Sequence, residues 1–236
     1  MRDQVYRHPQ SQIVDFAFDK DVVQVFPDMI RRSVPGYETI IPMGGLIAAR
    51  HLGEQGLAFD LGCSLGASSL AVLKQNSSPD IRVVAVDSSQ AMIDQARANI
   101  TDPRLALRCA DLLSTSVAGA NVVMMNFVLQ FLEPQQRQPL LNRLAAEMAP
   151  QGLLILSEKI YQTDESLQEF FDSNHLAWKR ANGYSELEVS QKRQSLENVM
   201  RLDTEAIQLQ RLKNAGFAQV TPWFRCLNWV SFIAQR

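Results

Sequence analysis

The sequence predicts an α/β protein built on a mostly parallel sheet with helices on both faces. Five short apolar runs support this: GLAFDLG (56–62), IRVVAVD (81–87), RLALRCAD (104–111), NVVMMNF (121–127) and GLLILSEK (152–159). Each reads as a strand buried on both faces. Helical patterns lie between several of them, and parallel neighbours need a crossover that is commonly a helix. Two further strand-like runs in FAQVTPWFRCLNWVSFIAQ (217–235), around a polar break, add a hairpin on the sheet edge. The expectation is a seven-stranded sheet with an antiparallel C-terminal edge strand.

The elements follow in order. Residues 1–18 begin with the polar, aperiodic MRDQVYRHPQSQ and are expected to be a flexible segment. DVVQVFPDMIRRSV (21–34) and YETIIPMGGLIAARHL (37–52), interrupted by Pro27, Pro35 and Pro42, predict extra N-terminal helices in front of the core. ASSLAVLKQN (67–76), SSQAMIDQARANI (88–100) and EPQQRQPLLNRLAAEMAP (133–150) supply the crossover helices. A longer, more polar helical insertion is expected over about 161–202, then a last helix over 204–215 leading through Gly216 into the hairpin. Residues 19–236 thus read as a single domain.

Composition narrows the function classes. A net charge of −2, with the basic pairs Arg31-Arg32, Lys179-Arg180 and Lys192-Arg193 scattered along the chain, disfavours tight direct nucleic-acid or membrane binding. Cys63, Cys109 and Cys226 are odd in number and widely spaced, so neither a disulfide framework nor a metal site is expected. With no charged-then-apolar leader pattern, the expected compartment is the cytoplasm. The longest apolar run, Val122 to Leu132, is too short to cross a bilayer and carries Asn126 and Gln130.

The stretch AFDLGCSLGASSL (58–70) has two readings. Gly62-Cys63-Ser64-Leu65-Gly66 fits G-x-S-x-G, the turn that exposes a hydrolase serine. That chemistry needs a downstream histidine, and His175 is the only one, in a helical context. A nucleotide-binding turn explains more residues. Gly62 and Gly66, with small Ser64 and Ala67, let backbone approach a ligand where the first strand becomes a helix. Asp87 closes the second strand, where a carboxylate accepts hydrogen bonds from ribose hydroxyls. Asp111 and Asn126 stand at the ends of the third and fourth strands. The turn lacks the Lys-Ser/Thr of a phosphate loop, so a nucleoside with an amino-acid tail fits better. Cys63 reads as a packing residue, since no activating histidine is evident.

These residues resemble the first motif of the Rossmann-like class I S-adenosylmethionine-dependent methyltransferase fold, here Asp60-Leu61-Gly62-Cys63-Ser64-Leu65-Gly66 with Ser64 in place of the middle glycine. A closer resemblance is carried by VFPDMIRRSVPGY (25–37), DLGCSLGASSL (60–70), NFVLQFLEP (126–134), LSEK (156–159) and KRANGYSELEVSQKRQSLENVM (179–200). Together these resemble the bacterial carboxy-S-adenosyl-L-methionine synthase family, formerly described as tRNA uridine-5-oxyacetic acid methyltransferases.

The resemblance implies conversion of S-adenosylmethionine and prephenate to carboxy-S-adenosylmethionine and phenylpyruvate, which supplies tRNA wobble-uridine modification. The sulfonium acidifies its methyl group, the resulting ylide captures carbon dioxide lost from prephenate, and the departing hydroxyl takes the proton. Carried onto this chain, the ligand contacts are Tyr37, Gly62, Cys63, Ser64, Asp87, Ser88, Asp111, Leu112, Asn126 and Arg193. Ser88 departs from the asparagine common at that position in the family. Arg193 is the residue implied for the distinctive step, because a guanidinium suits a carboxylate and not a sulfonium; without the resemblance, SQKR reads as a solvated helix face. A homodimer built through the insertion is implied as well, with the arginine reaching the neighbouring site. A conventional methyltransferase acting on a small molecule or tRNA shares the first-half motifs, and a non-catalytic cofactor-binding subunit is a further alternative. Whether Tyr184, His175 and Trp178 touch substrate or pack is left open by the sequence.

Overall fold

A computed structural model describes residues 2–9, 16, 19–197 and 199–236. Seven strands, β1 (Gly56–Leu61), β2 (Ile81–Asp87), β3 (Leu105–Cys109), β4 (Val122–Asn126), β5 (Leu153–Lys159), β6 (Gln219–Cys226) and β7 (Trp229–Gln235), form one sheet in the order β3-β2-β1-β4-β5-β7-β6. Pairing from β1 to β5 is parallel, and β7 runs antiparallel to both β5 and β6. The C-terminal hairpin therefore closes one edge, with β6 outermost.

Eight α-helices accompany the sheet among the described residues: α1 (Lys20–Ser33), α2 (Tyr37–Leu52), α3 (Ala67–Gln75), α4 (Gln90–Asn99), α5 (Pro134–Glu147), α6 (Glu165–Ala181), α7 (Glu186–Glu197) and α8 (Glu205–Asn214). Because strand side chains alternate faces, Ala58, Val83, Val122, Met124 and Ile155 meet Ala48, Leu52, Val72 and Leu73 of α2 and α3. Their neighbours Phe59, Val84, Val123, Met125, Leu154 and Leu156 meet Leu140, Leu141, Leu144 and Leu212 of α5 and α8. Each fully buried side chain of this size contributes about 1.5–3 kcal/mol. Gly45 lets α2 and α3 approach closely: a Cβ there would lie 2.4 Å from that of Ala71.

Local chemistry sets several helix starts. Ser89, Asp164 and Thr204 accept hydrogen bonds from Met92, Leu167 and Ile207 backbone N–H groups, satisfying donors that a helix start leaves unpaired. Pro134 opens α5 behind a capping box of Glu133 and Gln136.

Two regions differ from the sequence-based expectation. Strand β3 is not buried on both faces: Ala106, Arg108 and Cys109 are exposed, because it is the sheet's outer strand and pairs only with β2. Within the segment expected to be flexible, 1–18, residues 2–9 are docked. Asp3 and Tyr6 are buried; the Tyr184 hydroxyl donates to Asp3 at 2.5 Å, and Tyr6 donates to Ser195 at 2.9 Å. Gln191 donates to the carbonyls of Tyr6 and His8. The polar residues that made this stretch look loose are the ones that tie it to α7. Residues 1, 10–15, 17 and 18 lie outside the described residues. Among the described residues, no helix is long and apolar enough to cross a membrane.

The insertion returns to the core at Arg137. Its guanidinium, 1% exposed, bonds Asp203 at 2.5 Å and the carbonyls of Leu132 and Arg201. Removing the guanidinium leaves the Leu132 and Arg201 carbonyls unmatched and Asp203 with Arg211 alone, at 2.7 Å. Arg137→Met is expected to lower stability by about 3–5 kcal/mol in urea unfolding; a loss below about 1 kcal/mol would show that the cluster contributes nothing net.

Candidate functional site

The sheet reverses direction of travel between β1 and β4, and a crevice opens at that switch point on the carboxyl edge. Pairing of β1 with β2 continues to Leu61 and Val86, whereas pairing of β1 with β4 ends at Asp60 and Met124. The backbone then turns toward β2, with Gly62 and Cys63 N–H both donating to the Val86 carbonyl at 2.8 and 3.0 Å. Gly62 has φ 77°, and a Cβ there would lie 2.5 Å from Val128. Only glycine fits this turn without strain.

Asp87 fastens the turn. One carboxylate oxygen accepts the Ser64 N–H at 2.8 Å and the other the Ser89 N–H at 2.9 Å. Burial pushes its pKa up, against both backbone donors. Each oxygen keeps a lone pair for a hydroxyl donor, which is what a ribose diol requires. Asp60, fully buried, accepts the Ser69 N–H and hydroxyl at 3.0 and 2.6 Å, and burial raises it to about 6. Burial, reinforced by Asp60 and Asp87, drives the Cys63 thiol far above its ordinary range, so it is no nucleophile.

A cavity of about 750 Å³ lies between these strand ends and α1, α6 and α7, within the range of small-molecule sites. Tyr37, Gly62, Cys63, Ser64, Asp87, Ser88, Leu112, Asn126 and Arg193 all line it. Asp111 does not: it is exposed, and its carboxylate folds back onto the Leu113 N–H at 2.8 Å. That is the ordinary habit of aspartate at a turn, and Leu112 alone of that pair faces the cavity. The Asn126 amide donates to Ser68 at 3.0 Å and accepts from Ser157 at 2.6 Å. Tyr37, opening α2, stands 6.3 Å ring to ring from Phe127, and burial pushes its phenol up to about 12.

The β4 exit is held by Glu158, which sequence reasoning singled out only as part of LSEK. Its carboxylate accepts three successive backbone N–H groups, from Val128, Leu129 and Gln130, at 2.8–3.1 Å. Burial pushes Glu158 up to about 8 against those donors. It holds Phe127, at φ 65°, over the cavity.

His175 lines the cavity, while Tyr184 and Trp178 pack outside it. The His175 Nε2 donates to the Ser33 carbonyl at 2.8 Å, and burial with the charges of Lys179 and Lys159 lowers its pKa to about 3. It is neutral and committed to Ser33, which removes the base that a Ser64 hydrolase would need. Trp178 stacks on His175. Tyr184 lies under the Arg32 guanidinium at 3.7 Å. Sequence reasoning missed Lys159, Lys179 and Trp229, which also line the cavity. Lys159 had a readable signal, ending an apolar strand as Asp87 and Asn126 do; the others carry none.

Arg193 reaches the cavity of its own chain from α7, and among the described residues its guanidinium makes no hydrogen bond or ion pair. The family model described as "Methyltransferase domain" matches residues 58–152. The chain is 47% identical to the carboxy-S-adenosyl-L-methionine synthase of Pseudomonas entomophila over 98% of this chain and 97% of that one. It is 46% identical to the enzyme of that name from Aeromonas hydrophila over 99% and 95%. The chain belongs to the carboxy-S-adenosyl-L-methionine synthase family.

Fold likeness agrees. An O-methyltransferase family protein from Burkholderia thailandensis superposes with TM-score 0.66 at 18% identity, over 93% of this chain and 60% of that one. Human N-acetylserotonin methyltransferase, solved with its S-adenosylmethionine, gives 0.61 at 14% identity over 92% and 55%. This synthase-family chain thus spans little more than half of those chains, and the likeness shows the class I methyltransferase fold alone.

Asp87→Ala removes an acceptor whose charged hydrogen bonds are worth about 1.5–3 kcal/mol each. Calorimetry is expected to show S-adenosylmethionine binding weakened by about tenfold or more; an unchanged dissociation constant would reject the ribose role.

Proposed function

We propose that this protein is a carboxy-S-adenosyl-L-methionine synthase that uses prephenate as the carboxyl source. The observation that carries this reading is Arg193, whose guanidinium, without a partner among the described residues, lines a cavity whose strand-end geometry suits a sulfonium nucleoside. A conventional methyl-donor site gains nothing from a second cation beside a sulfonium. A carboxylate on the methyl carbon would take that cation as its partner through two parallel hydrogen bonds.

The reaction balances without an external base or oxidant. The bond from the prephenate ring to its carboxylate breaks, the ring hydroxyl departs, and the ring becomes aromatic in phenylpyruvate. The methyl carbon loses a proton to that hydroxyl, giving water, and bonds the released carbon dioxide while staying on sulfur. The chain's own residues bind, orient and exclude water: Asp87 and the Gly62 turn hold the nucleoside, the aromatic rings of Tyr37 and Phe127 cover the reacting end, and Arg193 holds the new carboxylate. His175 and Cys63, both neutral, fit a site that supplies no strong base.

In this reading the product feeds carboxymethylation of wobble uridine in tRNA by another protein, in keeping with a net charge of −2 that gives RNA little to bind. Three unpaired cysteines suit a reducing cytoplasm. A homodimer through the insertion is part of the same proposal, supported by exposed Phe170, Leu167 and Leu187 on α6 and α7. Phe170→Glu is expected to shift the species seen by light scattering from dimer to monomer; a wild-type monomer would reject the dimer.

The deciding experiment is mass spectrometry of nucleosides after incubation with S-adenosylmethionine, with and without prephenate. A prephenate-dependent species heavier by one carbon dioxide is expected; unchanged S-adenosylmethionine with folded, binding-competent protein would reject the reading. Arg193→Ala is expected to cut product formation by about 100-fold, the upper range for a charged hydrogen-bonding partner, while keeping S-adenosylmethionine binding. Wild-type yield from that variant would remove Arg193 from the reaction.

A further inference from the structure

Three lysines reach the cavity, and the fold treats them differently. Lys192, on α7, is satisfied within the protein: its ammonium donates to Ser33 at 2.8 Å and stands 3.8 Å from the Asp3 carboxylate. The ammonium groups of Lys159, the last residue of β5, and Lys179, on α6, make no hydrogen bond or ion pair among the described residues. Lys179 is nevertheless only 7% exposed. Burial, with repulsion from Lys159 and Arg193, pulls Lys179 down to about 8, and burial lowers Lys159 too. The carboxylate whose field reaches both is Asp172, itself engaged by Gln168 at 2.7 Å.

An aromatic wall stands beside the pair. The Lys159 ammonium is 5.9 Å from the Trp229 ring centre, and Trp229 is edge-on to both Phe127 and His175. Trp229 is 5% exposed, yet among the described residues its indole N–H is buried without a partner. Buried donors are almost always paired, and uncompensated buried cations are costly. Two ammonium groups and an indole N–H thus stand unmatched along one cavity. On this wall of the cavity Lys159, Lys179 and Arg193 outnumber the Asp172 carboxylate by two charges.

We propose that Lys159 and Lys179 form a second carboxylate subsite, distinct from Arg193, that selects a small dicarboxylate dianion by holding the carboxylate that does not react. This rests on the proposed synthase reading, in which Arg193 takes the carboxylate that ends on the methyl carbon. The side-chain carboxylate of prephenate, retained in phenylpyruvate, lies on the lysine pair, and its six-membered ring packs on Trp229 and Phe127. A monoanion leaves one part of the cationic cluster unmatched. Selection for two charges is therefore built into the pocket and not into the nucleoside site.

Lys159→Met and Lys179→Met test this. With S-adenosylmethionine saturating, each variant is expected to raise KM for prephenate by about tenfold or more, the loss for one charge-assisted contact, and to leave S-adenosylmethionine affinity by calorimetry unchanged. Melting gives a second reading. Replacing an unpaired, desolvated cation by an apolar isostere should keep or raise the melting temperature of the free protein, and at one prephenate concentration the prephenate-induced shift should be smaller in each variant than in the wild type. An unchanged KM in both variants, or a melting temperature that falls while the prephenate shift persists in full, would overturn the subsite and assign the lysines a structural role. If the wild type makes no carboxylated product, the synthase reading fails separately, and the subsite is judged on the prephenate-induced melting shift alone.

Discussion

Parting of β1 from β4 after Asp60 and Met124 is the constraint on which the site depends. Parallel strands held in register leave no room for a ligand between them, so a crevice forms where the chain's direction of travel reverses and the hydrogen-bond ladder stops. Two devices hold the mouth open. Asp87 takes the amides of Ser64 and Ser89 on one side. Glu158 takes three amides of the segment after β4 on the other. Both carboxylates are spent mainly on backbone, so the walls of the crevice are set by groups with little freedom to move.

Charge is distributed with the same economy. Near the nucleoside turn the buried groups are carboxylates, Asp60 and Asp87, suited to a cationic ligand and to hydroxyl donors. Across the cavity, β5 and the insertion bring Lys159, Lys179 and Arg193. Opposite charges on opposite walls give the cavity a polarity, with carboxylates at one end and cations at the other. Lys192, next to Arg193 in sequence, takes no part in this polarity because residues 2–9 carry Asp3 to it. The docked N-terminal segment thereby neutralises one cation and fastens α7, the helix that presents Arg193.

Much of this was legible in the sequence, and for definite reasons. Strand runs such as IRVVAVD and NVVMMNF have a period and length that few other structures share. Asp87 and Asn126 end such runs, which places them at the carboxyl edge whatever the helices do. The Gly62 turn was readable because a positive φ against a neighbouring strand admits almost no other residue. Resemblance supplied Arg193, whose surroundings in SQKR look like any solvated helix face.

What tertiary structure decided is which polar residues meet. Asp3 and Lys192 are far apart in sequence, as are Lys159, Lys179 and Trp229, and no local pattern reports a contact made across the fold. Asp111 shows the converse: its strand-end position was correct, yet its side chain turned to a nearby amide and not to the cavity. By itself the sequence determined the sheet, the crossover helices and the glycine turn, since periodicity and backbone sterics act over a few residues. The balance of charge around the cavity came only from tertiary packing, because desolvation and pairing depend on neighbours that the chain brings together from a distance.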